Sequence, residues 1–391
     1  MSVLGIISSV SMGQHFIRVG IKTAGQPVLK PLKDYTLLEN MLIGDGFHWQ
    51  RKIRAKLPGE VIPFIEESQK NTEEPLSPID DAHITLINSI PLETYLQCVV
   101  GSEMNPEAPV EFLKAHAVIS RSWALGKIID VHHRENKGKI NADTVMVGWD
   151  DTAGHQGFHV CSDDHCQRYQ GLQTIPDITL SAIKETAGEV LLSSEGNLLD
   201  SRFSKCCGGQ TETFPTCWQP VEVDCLESFT DPWCNLSSLN PVVRRTLLSS
   251  ILKSYDHAMQ GYGYRWQTEI SKRQIEKNLK EKFGRNIGEI QRLQPLQRGG
   301  SGRISLLRIY GSEGFLDLGK ELWIRRLLSS SHLYSSAFEV EDKGSFVVLS
   351  GKGWGHGVGL CQIGAANMAF NGKNYREILS FYYPGSEIAK V

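Results

Sequence analysis

The chain has 391 residues, 40% of them hydrophobic and 22% charged, which is enough apolar material for a sizeable core and about two domains. Its formal net charge of −3 gives no general attraction to nucleic acid. No apolar run reaches the roughly 18 residues that a membrane-spanning helix needs, so we expect no transmembrane helix.

The first 90 residues are predicted to form short strands and one polar loop. The N-terminus is mildly apolar but lacks the basic start of a secretory signal peptide. The segment FIRVGI, beginning at Phe16, has the composition of a first strand. Residues 59–81 carry seven acids, one lysine and three prolines, which predicts a solvated loop. A further strand, HITLINSI, follows at residues 83–90.

Two helices joined by a short turn are predicted next. Pro91 stands at a helix start, where proline fits best, and apolar residues then recur at helical spacing over residues 92–99. Pro106 ends this helix, and Pro109 opens a second one in VEFLKAHAVISRSWALGKIID. The short NPEA link between them predicts a helical hairpin.

Glu103 is the next position on the apolar stripe of the first helix, so a carboxylate is expected on a buried face. Desolvation and the negative end of the helix dipole both disfavour its charged form and should raise its pKa. A carboxyl that titrates nearer neutrality suits a general acid. Two alternatives stay open: the side chain frays into solvent at the helix end, or it pairs with a buried arginine such as Arg121.

A dense histidine–cysteine cluster follows in one short loop. His155, Cys161, His165 and Cys166 combine imidazole with thiolate, the donors that suit zinc. Four protein ligands leave no open position, so we expect the Zn²⁺ to be structural rather than catalytic. His159 is the weakest of the five candidate ligands in this loop. The alternative is a disulfide or free thiols beside surface histidines.

The second half of the chain combines strands with a basic helical stretch. Five of the nine cysteines fall between Cys206 and Cys234, and an odd total excludes complete internal disulfide pairing. Residues 240–300 are expected to be helical and polar, with ten Lys or Arg against four Asp or Glu from Arg265 to Arg303. We interpret that stretch as a solvated face, with contact to an anionic polymer as the alternative. The segment GRISLLRIYGSEGFLDLG predicts a strand pair.

Together these elements predict an α+β fold of mixed and antiparallel strands. The helical hairpin carries Glu103, and a smaller subdomain is inserted into the core. We divide the chain into residues 1–240 as the first part of the core, 241–345 as the accessory subdomain with the basic helical stretch, and 346–391 as the return to the core with a C-terminal helix.

Glycine occupies every second position from Gly351 to Gly359, around His356. The spacing fits neither a dinucleotide-binding loop nor a P-loop, so we expect no phosphate site. Alternating glycines would strip one face of a strand and admit another backbone or a long ligand, with His356 and Gln362 projecting at that surface. The alternative is a tight packing corner without a ligand.

Three stretches of the chain together resemble one family. They are ETYLQCVVGSEMNPEAPVEFLKAHAVISRSWAL, VCSDDHCQRYQG with FSKCCGG, and GKGWGHGVGLCQIGAANMA with the later YREILSFYYPGSEI. Over most of its length the chain is similar to the SpoIID/LytB-type peptidoglycan lytic transglycosylases, a family named for stage II sporulation protein D.

The resemblance implies that Glu103, in its Ser-Glu-Met motif, is the catalytic acid/base. It implies that the four ligands of the histidine–cysteine cluster hold structural Zn²⁺, and that the glycine-rich segment forms part of the groove around the glutamate. Arg121, Ser204, His356 and Gln362 are then expected to bind sugar or to orient the acid. The implied substrate is the glycan strand of peptidoglycan, preferably stripped of its stem peptides by a partner amidase.

The chain also departs from the family pattern. Cys361, Cys206 and Cys207 stand where members more often carry serine or threonine. We expect the group from Cys206 to Cys234 to hold a disulfide that ties down an inserted loop. The family implies a periplasmic or wall-facing location in the cell envelope, and a sporulation or septal role, although the chain shows no clear signal peptide.

Two other functions stay open. A non-catalytic wall-binding protein or an amidase enhancer would use the same scaffold without cleaving glycan. A zinc amidase would use the histidine–cysteine cluster, although four ligands argue against an open catalytic position. The expected partners are peptidoglycan glycan strands and an amidase, and no nucleic acid.

Overall fold

The computed structural model describes residues 15–44, 50–64, 85–129, 138–149, 155, 157–163, 166–172, 175–252, 260–330 and 332–391. These residues form a mixed α+β fold, as the sequence predicted. The chain divides into two compact units. The first lies within Met1–His133, Thr152–Asp200 and Ile388–Val391, and the second within Arg134–Asp151 and Ser201–Glu387. The division at residues 240 and 345 stays a prediction.

The described chain contains both strands and helices. The strands are β1 Phe16–Lys22, β2 Leu29–Pro31, β3 Thr36–Ile43, β4 Arg51–Leu57, β5 Glu60–Pro63, β6 Thr85–Pro91, β7 Gly138–Asn141, β8 Val145–Trp149, β9 Val160–Cys161, β10 Glu189–Leu192, β11 Phe203–Ser204, β12 Arg265–Ser271, β13 Ile290–Arg298, β14 Ile304–Gly311, β15 Gly314–Gly319, β16 Phe338–Asp342, β17 Phe346–Lys352, β18 Leu360–Cys361 and β19 Glu387–Lys390. The helices are α1 Leu92–Glu103, α2 Val110–Ile128, α3 Asp177–Glu185, α4 Phe214–Cys217, α5 Pro241–Ile251, α6 Lys272–Phe283, α7 Glu321–Leu327, α8 Gln362–Phe370 and α9 Tyr375–Tyr382. None of the described helices has the length and apolarity to cross a membrane.

The first unit is built on a four-stranded sheet in the order β5-β6-β1-β9, beside the three-stranded sheet β2-β3-β4. Strand β1 pairs antiparallel with β6 and parallel with β9, so this sheet is mixed. Ile17, Val19 and Ile21 of β1 are fully buried, while Phe16 and Lys22 are exposed. Buried and exposed residues thus alternate with the period of two that is typical of a strand, and the predicted first strand is confirmed.

The loop predicted over residues 59–81 is wrong at its start. Residues 60–63 form β5, in which Val61 lies opposite Asn88 of β6. Composition alone indicated a loop because these residues gain their strand conformation from pairing with β6, a contact that local sequence does not contain. Residues 65–84, which hold most of the acids, lie outside the described residues.

Helices α1 and α2 occupy the positions that the prolines predict. Pro91 and Pro109 immediately precede them, and α1 ends at Glu103 before the chain reaches Pro106. The two helices pack against each other and against α3. Helix α1 is buried on more than the predicted stripe, since Cys98 to Glu103 are all buried in succession. It is therefore a core helix, for which a single-stripe pattern underestimates burial.

The second unit contains the five-stranded sheet β13-β14-β15-β8-β7, the sheet β12-β17-β16, and the pair β11-β18. Strands β14 and β15 form the predicted antiparallel hairpin. Their apolar faces join one hydrophobic core that includes Trp266, Ile304, Trp323 and Phe338. Helices α6 and α7 pack against the sheet through this core.

The helical stretch predicted over residues 240–300 is only partly correct. Helices α5 and α6 are present, but β12 and β13 also lie in this range. Strand β12 pairs along its length with β17 and buries Trp266 and Ile270. The alternation of buried and exposed residues in β12 is short and lies among charged residues, so the sequence did not indicate a strand there. Arg303, at the end of the basic stretch, is fully buried and does not belong to a solvated face.

The glycine-rich segment is not a strand with one bare face. Strand β17 ends at Lys352, and Gly353, Gly355, Gly357 and Gly359 all have a positive φ between 69° and 94°. Residues with side chains rarely adopt this left-handed conformation. Alternating glycine therefore reflects a backbone that turns at every second residue.

These glycines close around the buried Arg303. A Cβ on Gly353 would lie 2.6 Å from Nη2 of Arg303, and one on Gly357 would lie 2.5 Å from its Cζ. The guanidinium donates to the Gly355 carbonyl from Nε at 3.1 Å and from Nη2 at 3.0 Å, and to the Cys207 carbonyl from Nη1 at 3.4 Å. At Gly353 and Gly357 the chain's own arginine therefore fills the space, and a groove role for the rest of the segment stays a prediction.

Replacing Gly357 by alanine should therefore lower the free energy of unfolding by about 2–4 kcal/mol, from the left-handed backbone and the collision with Arg303 together. Gly344→Ala is the matched control, since its φ of 81° is similar and nothing lies within 4 Å of its added Cβ. The control should lose only about 1–2 kcal/mol. Equal losses in urea denaturation would show that Arg303 does not constrain this segment.

Candidate functional site

Glu103 ends α1 with its side chain almost entirely inside the first unit. The residue is 8% exposed, and its Oε1 accepts a 2.7 Å hydrogen bond from the backbone N–H of Arg168. The carboxyl is therefore held in place, and the alternative of a frayed side chain is wrong. Burial disfavours the charged carboxylate, whereas the N–H donor favours it, so these two effects on the charged form oppose each other.

Arg121 pairs with Glu93 rather than with Glu103. Its Nε donates to Oε1 of Glu93 at 2.7 Å and its Nη2 to Oε2 at 3.0 Å, a bidentate pair. Its Nη1 donates to the carbonyl of Glu189 at 3.0 Å. Arg121 is fully buried, so these bonds tie α1, α2 and β10 together. The sugar-binding role of Arg121 stays a prediction.

Three residues of the histidine–cysteine cluster lie together in the first unit. The ligand atoms of His155, Cys161 and Cys166 are all within 4.8 Å of one another. The Sγ of Cys166 is 3.7 Å from Nε2 of His155. Imidazole and thiolate donors at this spacing fit a zinc ion, so these residues can hold a metal. His165, the fourth predicted ligand, lies outside the described residues.

His159 faces a different neighbour. Its Nδ1 accepts a 3.1 Å hydrogen bond from the backbone N–H of Arg18, and the backbone N–H of His159 donates to the Arg18 carbonyl at 2.9 Å. The ring thus supports the junction of β1 and β9. Among the described residues it does not join the metal-capable group, which agrees with its weak standing in the sequence.

The loop that carries the cluster also holds the carboxyl of Glu103. Gln167 follows Cys166, and its Oε1 accepts a 3.0 Å hydrogen bond from the hydroxyl of Tyr95 on α1. Arg168 comes next and provides the N–H that Glu103 accepts. A metal bound by this loop would therefore limit the motion of the group that positions Glu103.

Ser204, His356 and Gln362 lie around the pair β11-β18 in the second unit. Ser204 stands opposite Cys361 in the parallel register, and Gln362 follows as the first residue of α8. His356 forms a hydrogen bond with the backbone of Phe203 in β11. Ser204 is more than 150 residues from His356 and Gln362 in the sequence, and the strand pairing brings them together.

Both ring nitrogens of His356 are engaged by the protein backbone. Besides the bond to Phe203, its Nδ1 accepts the N–H of Val358 at 3.0 Å. Burial of the ring, with Arg202 and Arg303 among the nearby cations, lowers the pKa of His356 to about 3. The imidazole is therefore neutral near pH 7 and does not act as a cation.

A second metal-capable group in the second unit was missed from the sequence. Cys207, Asp231, Cys234 and Cys361 are all buried, with their ligand atoms within 4.8 Å of one another. The expected disulfide is not formed, because all nine cysteines, each in the described part of the chain, are free. The Sγ atoms of Cys206 and Cys234 lie 3.4 Å apart. The sequence signals were the density of cysteines from Cys206 to Cys234 and the cysteines at 206, 207 and 361 where serine or threonine is more usual.

Comparison with known proteins places similarity over both units. Residues 80–192, which include Glu103 and the histidine–cysteine loop, match the family described as Stage II sporulation protein. Residues 212–359 match a Domain of unknown function (DUF8618). Among whole proteins, an uncharacterized protein of Brachyspira hyodysenteriae is 27% identical over 319 residues, covering 80% of this chain and 70% of that protein.

Two Bacillus proteins are also similar to this chain. Stage II sporulation protein D of Bacillus amyloliquefaciens is 26% identical over 310 residues, which is 78% of this chain and 76% of that protein. The amidase enhancer of Bacillus subtilis is 38% identical over a shorter stretch of 65 residues, 17% of this chain and 9% of the enhancer. The first similarity spans both units, whereas the second is local.

Removing either partner of the Arg121–Glu93 pair should destabilise the first unit. Glu93→Leu leaves a buried guanidinium without its carboxylate, and Arg121→Met removes the guanidinium and leaves the carboxylate. Each variant should lower the free energy of unfolding, measured by urea denaturation, by about 3 kcal/mol. The double variant should lose clearly less than the sum, since no uncompensated charge remains. Strictly additive losses would contradict a direct pairing.

The neutral state of His356 predicts a pH dependence of stability. Its pKa is about 3 in the folded chain against 6.5 for the ordinary side chain, so below pH 6.5 the unfolded state binds more protons. Wild type should therefore lose stability relative to His356→Asn as the pH falls from 6.5, by up to about 1.4 kcal/mol per pH unit, and show no relative change above it. Urea denaturation of both proteins at pH 7.5, 6.0 and 5.0 measures the difference; parallel curves would mean that the ring protonates freely in the folded state.

Proposed function

The chain carries a SpoIID family domain, distantly homologous to stage II sporulation protein D and to the amidase enhancer, and on that premise we propose that it is a peptidoglycan lytic transglycosylase. The proposal rests on one observation above all. Within the matched segment, α1 ends in a buried carboxyl that a backbone N–H holds in a single position. Such a group is suited to give and take one proton.

In the proposed reaction Glu103 acts first as an acid. Its protonated carboxyl donates to the oxygen between N-acetylmuramic acid and N-acetylglucosamine, and positive charge develops at C1 of the muramic ring. The 6-hydroxyl of the same ring then attacks C1, while the ionised Glu103 accepts its proton. The glycosidic bond breaks, a new C1–O6 bond forms, and the product has a 1,6-anhydro end.

A single carboxyl is enough for this reaction, and the other acids near Glu103 in the sequence are either exposed or paired with a basic residue. Glu107 is exposed, Glu111 lies 2.9 Å from the Nζ of Lys114, and Glu93 binds Arg121. Hydrolytic glycosidases need two carboxyls at the scissile bond, one of them to activate water or to attack the sugar. The distribution of acids thus supports transfer within the sugar over hydrolysis.

The metal-capable loop is assigned a structural part in this proposal. His155, Cys161 and Cys166, with His165 as the fourth ligand, hold Zn²⁺, which supplies rigidity to the loop and no step of the reaction. The protein's own contribution is the N–H of Arg168, which keeps Glu103 oriented. Loss of the metal should therefore reduce activity through disorder of the loop.

Substrate contacts are assigned to neutral side chains of the second unit. Ser204 has a buried Oγ without a hydrogen-bond partner among the described residues, and His356 is neutral. Ser204 and Gln362 offer the uncharged donors and acceptors that sugar hydroxyls and acetamido groups need. His356, whose ring nitrogens both bond the backbone, is assigned to orient the segment beside them. Arg121 is assigned a positioning role through Glu93. A wall-facing location and a partner amidase that strips stem peptides belong to the same proposal.

The second candidate function is amidase enhancement without glycan cleavage. It is favoured by the 38% identity to the amidase enhancer of Bacillus subtilis, although that match covers only 65 residues. On this alternative the same surfaces bind peptidoglycan and an amidase, and Glu103 has only a structural role.

Glu103→Gln tests the proposal. Wild type should release 1,6-anhydro ends from purified denuded glycan, measured by mass spectrometry, and the variant should be slower by about 10²–10⁴-fold because its amide cannot transfer the proton. Glu107→Gln, which changes an exposed carboxyl four residues away, is the matched control and should keep full activity. Far-UV circular dichroism and thermal melting check that both variants fold.

The contrary outcomes are distinct. Undiminished anhydro ends from Glu103→Gln would exclude Glu103 as the acid. A wild type that releases no anhydro ends but accelerates an added amidase would support the enhancer. Cleavage at the lactyl amide bond would instead identify a zinc amidase.

A further inference from the structure

We propose that the second unit contains a metal centre of its own, in which Cys207, Cys234, Cys361 and Asp231 bind one Zn²⁺. The centre is separate from the histidine–cysteine loop, whose residues belong to the first unit. It does not depend on the proposed reaction. Its role is to link three segments of the chain that are far apart in sequence.

The donor atoms already stand close to the spacing of a tetrahedral site. All four lie within 4.8 Å of one another, and the Sγ of Cys207 is 3.2 Å from Oδ2 of Asp231. In a tetrahedral zinc site, ligand atoms are separated by roughly 3.5–4 Å, as Zn–S distances of about 2.3 Å require. Small shifts of the side chains would therefore complete the coordination.

Backbone N–H groups point at the sulfur atoms, as they do around bound thiolates. The Sγ of Cys361 accepts from the N–H of Cys207 at 3.3 Å and from that of Gly364 at 3.4 Å. The Sγ of Cys207 accepts from the N–H of Gly209 at 3.4 Å. Cys361 is also the N-cap of α8, where the helix dipole stabilises negative charge. Hydrogen-bond donors placed in this way around the sulfur atoms also hold the side chains in position for a shared ion.

The carboxylate is oriented by three further donors. Oδ1 of Asp231 accepts the N–H groups of Trp233 at 2.9 Å and Cys234 at 3.2 Å, and Oδ2 accepts the hydroxyl of Tyr382 at 2.9 Å. Gly364 leaves the room for this arrangement, since a Cβ there would lie 2.1 Å from the Tyr382 oxygen and 2.6 Å from Oδ2. Such supporting bonds hold metal ligands in place.

The donor set identifies the metal by its chemistry. Three thiolates and one carboxylate are too soft for magnesium or calcium and suit zinc, which accepts four-coordinate sites of this kind. All four ligands come from the protein and are buried, so no position is left for water or substrate. The centre is therefore structural. Cys206, whose Sγ is 3.4 Å from that of Cys234, stands beside the set and is not a ligand in this proposal.

The test isolates this centre in the 391-residue chain. Cys161→Ala/Cys166→Ala removes the two described thiol ligands of the first unit, and the protein is reduced and kept under anaerobic conditions. Cobalt(II) added to it should bind at one equivalent, give the thiolate-to-cobalt charge-transfer absorption in the near ultraviolet, and be displaced by zinc. An unmodified chain with both sites should bind two equivalents.

Variants in the same background test the ligand set. Asp231→Asn and Cys361→Ser should weaken cobalt binding by at least about tenfold. Cys206→Ser and Cys217→Ser are the matched controls, since both replace buried thiols of the second unit that are outside the set, and both should keep binding. Release of the metal by Cys206→Ser together with retention by Asp231→Asn would overturn the proposed set.

A measurement on wild type covers variants that fail to fold. Zinc should protect Cys207, Cys234 and Cys361 from alkylation in mild denaturant, as read by peptide mass mapping, and a chelator should abolish the protection. Protection that is the same with and without chelator would overturn the centre. So would a Cys206–Cys234 disulfide in protein purified anaerobically, or the absence of the charge-transfer band.

Discussion

The second unit depends on one buried charge and on the need to surround it with oxygen atoms. Arg303 is fully buried, and its nitrogens bond the carbonyls of Gly355 and Cys207 and, at 2.8 Å, the hydroxyl of Ser301. Ser301 in turn donates from its hydroxyl and its N–H to the buried carboxylate of Glu212, at 2.6 and 3.1 Å. Buried ions are tolerated only when such bonds are complete, so the glycine-rich backbone must come close to the guanidinium. That approach also sets where the neighbouring cysteine and histidine positions lie.

The first unit also buries an ionisable side chain, the carboxyl of Glu103. Glu103 is buried at the end of a helix that has almost no exposed face, and it accepts a hydrogen bond from the N–H of Arg168. The helix itself is tied to α2 by the buried pair of Arg121 and Glu93. Because that pair satisfies the arginine, the carboxyl of Glu103 is not neutralised by it. The charge that stabilises the fold and the candidate acid of the proposed function are therefore separate groups.

Whether an element or a site residue could be predicted from the sequence depends on how far apart along the chain the contacting residues lie. Strand β1, helices α1 and α2, and the hairpin of β14 and β15 were predicted because their signals are local: alternation, helical spacing, prolines and a tight turn. Strands β5 and β12 were missed because each takes its conformation from a distant partner strand. His155, Cys161 and Cys166 were found as a group since they share one loop, whereas Cys207 and Cys361 meet across 154 residues.

By itself, then, the sequence determined the α+β class, the two central helices, the position of Glu103 on the apolar stripe of the first, and a cysteine–histidine loop suited to metal. Only the tertiary structure decided that Arg121 binds Glu93, that Arg303 fills the space left by the glycines, and that buried thiols gather beside Asp231. The physical reason is that spacing along a chain sets local conformation, while the partners of buried polar groups are chosen by which distant atoms can complete their hydrogen bonds once water is excluded.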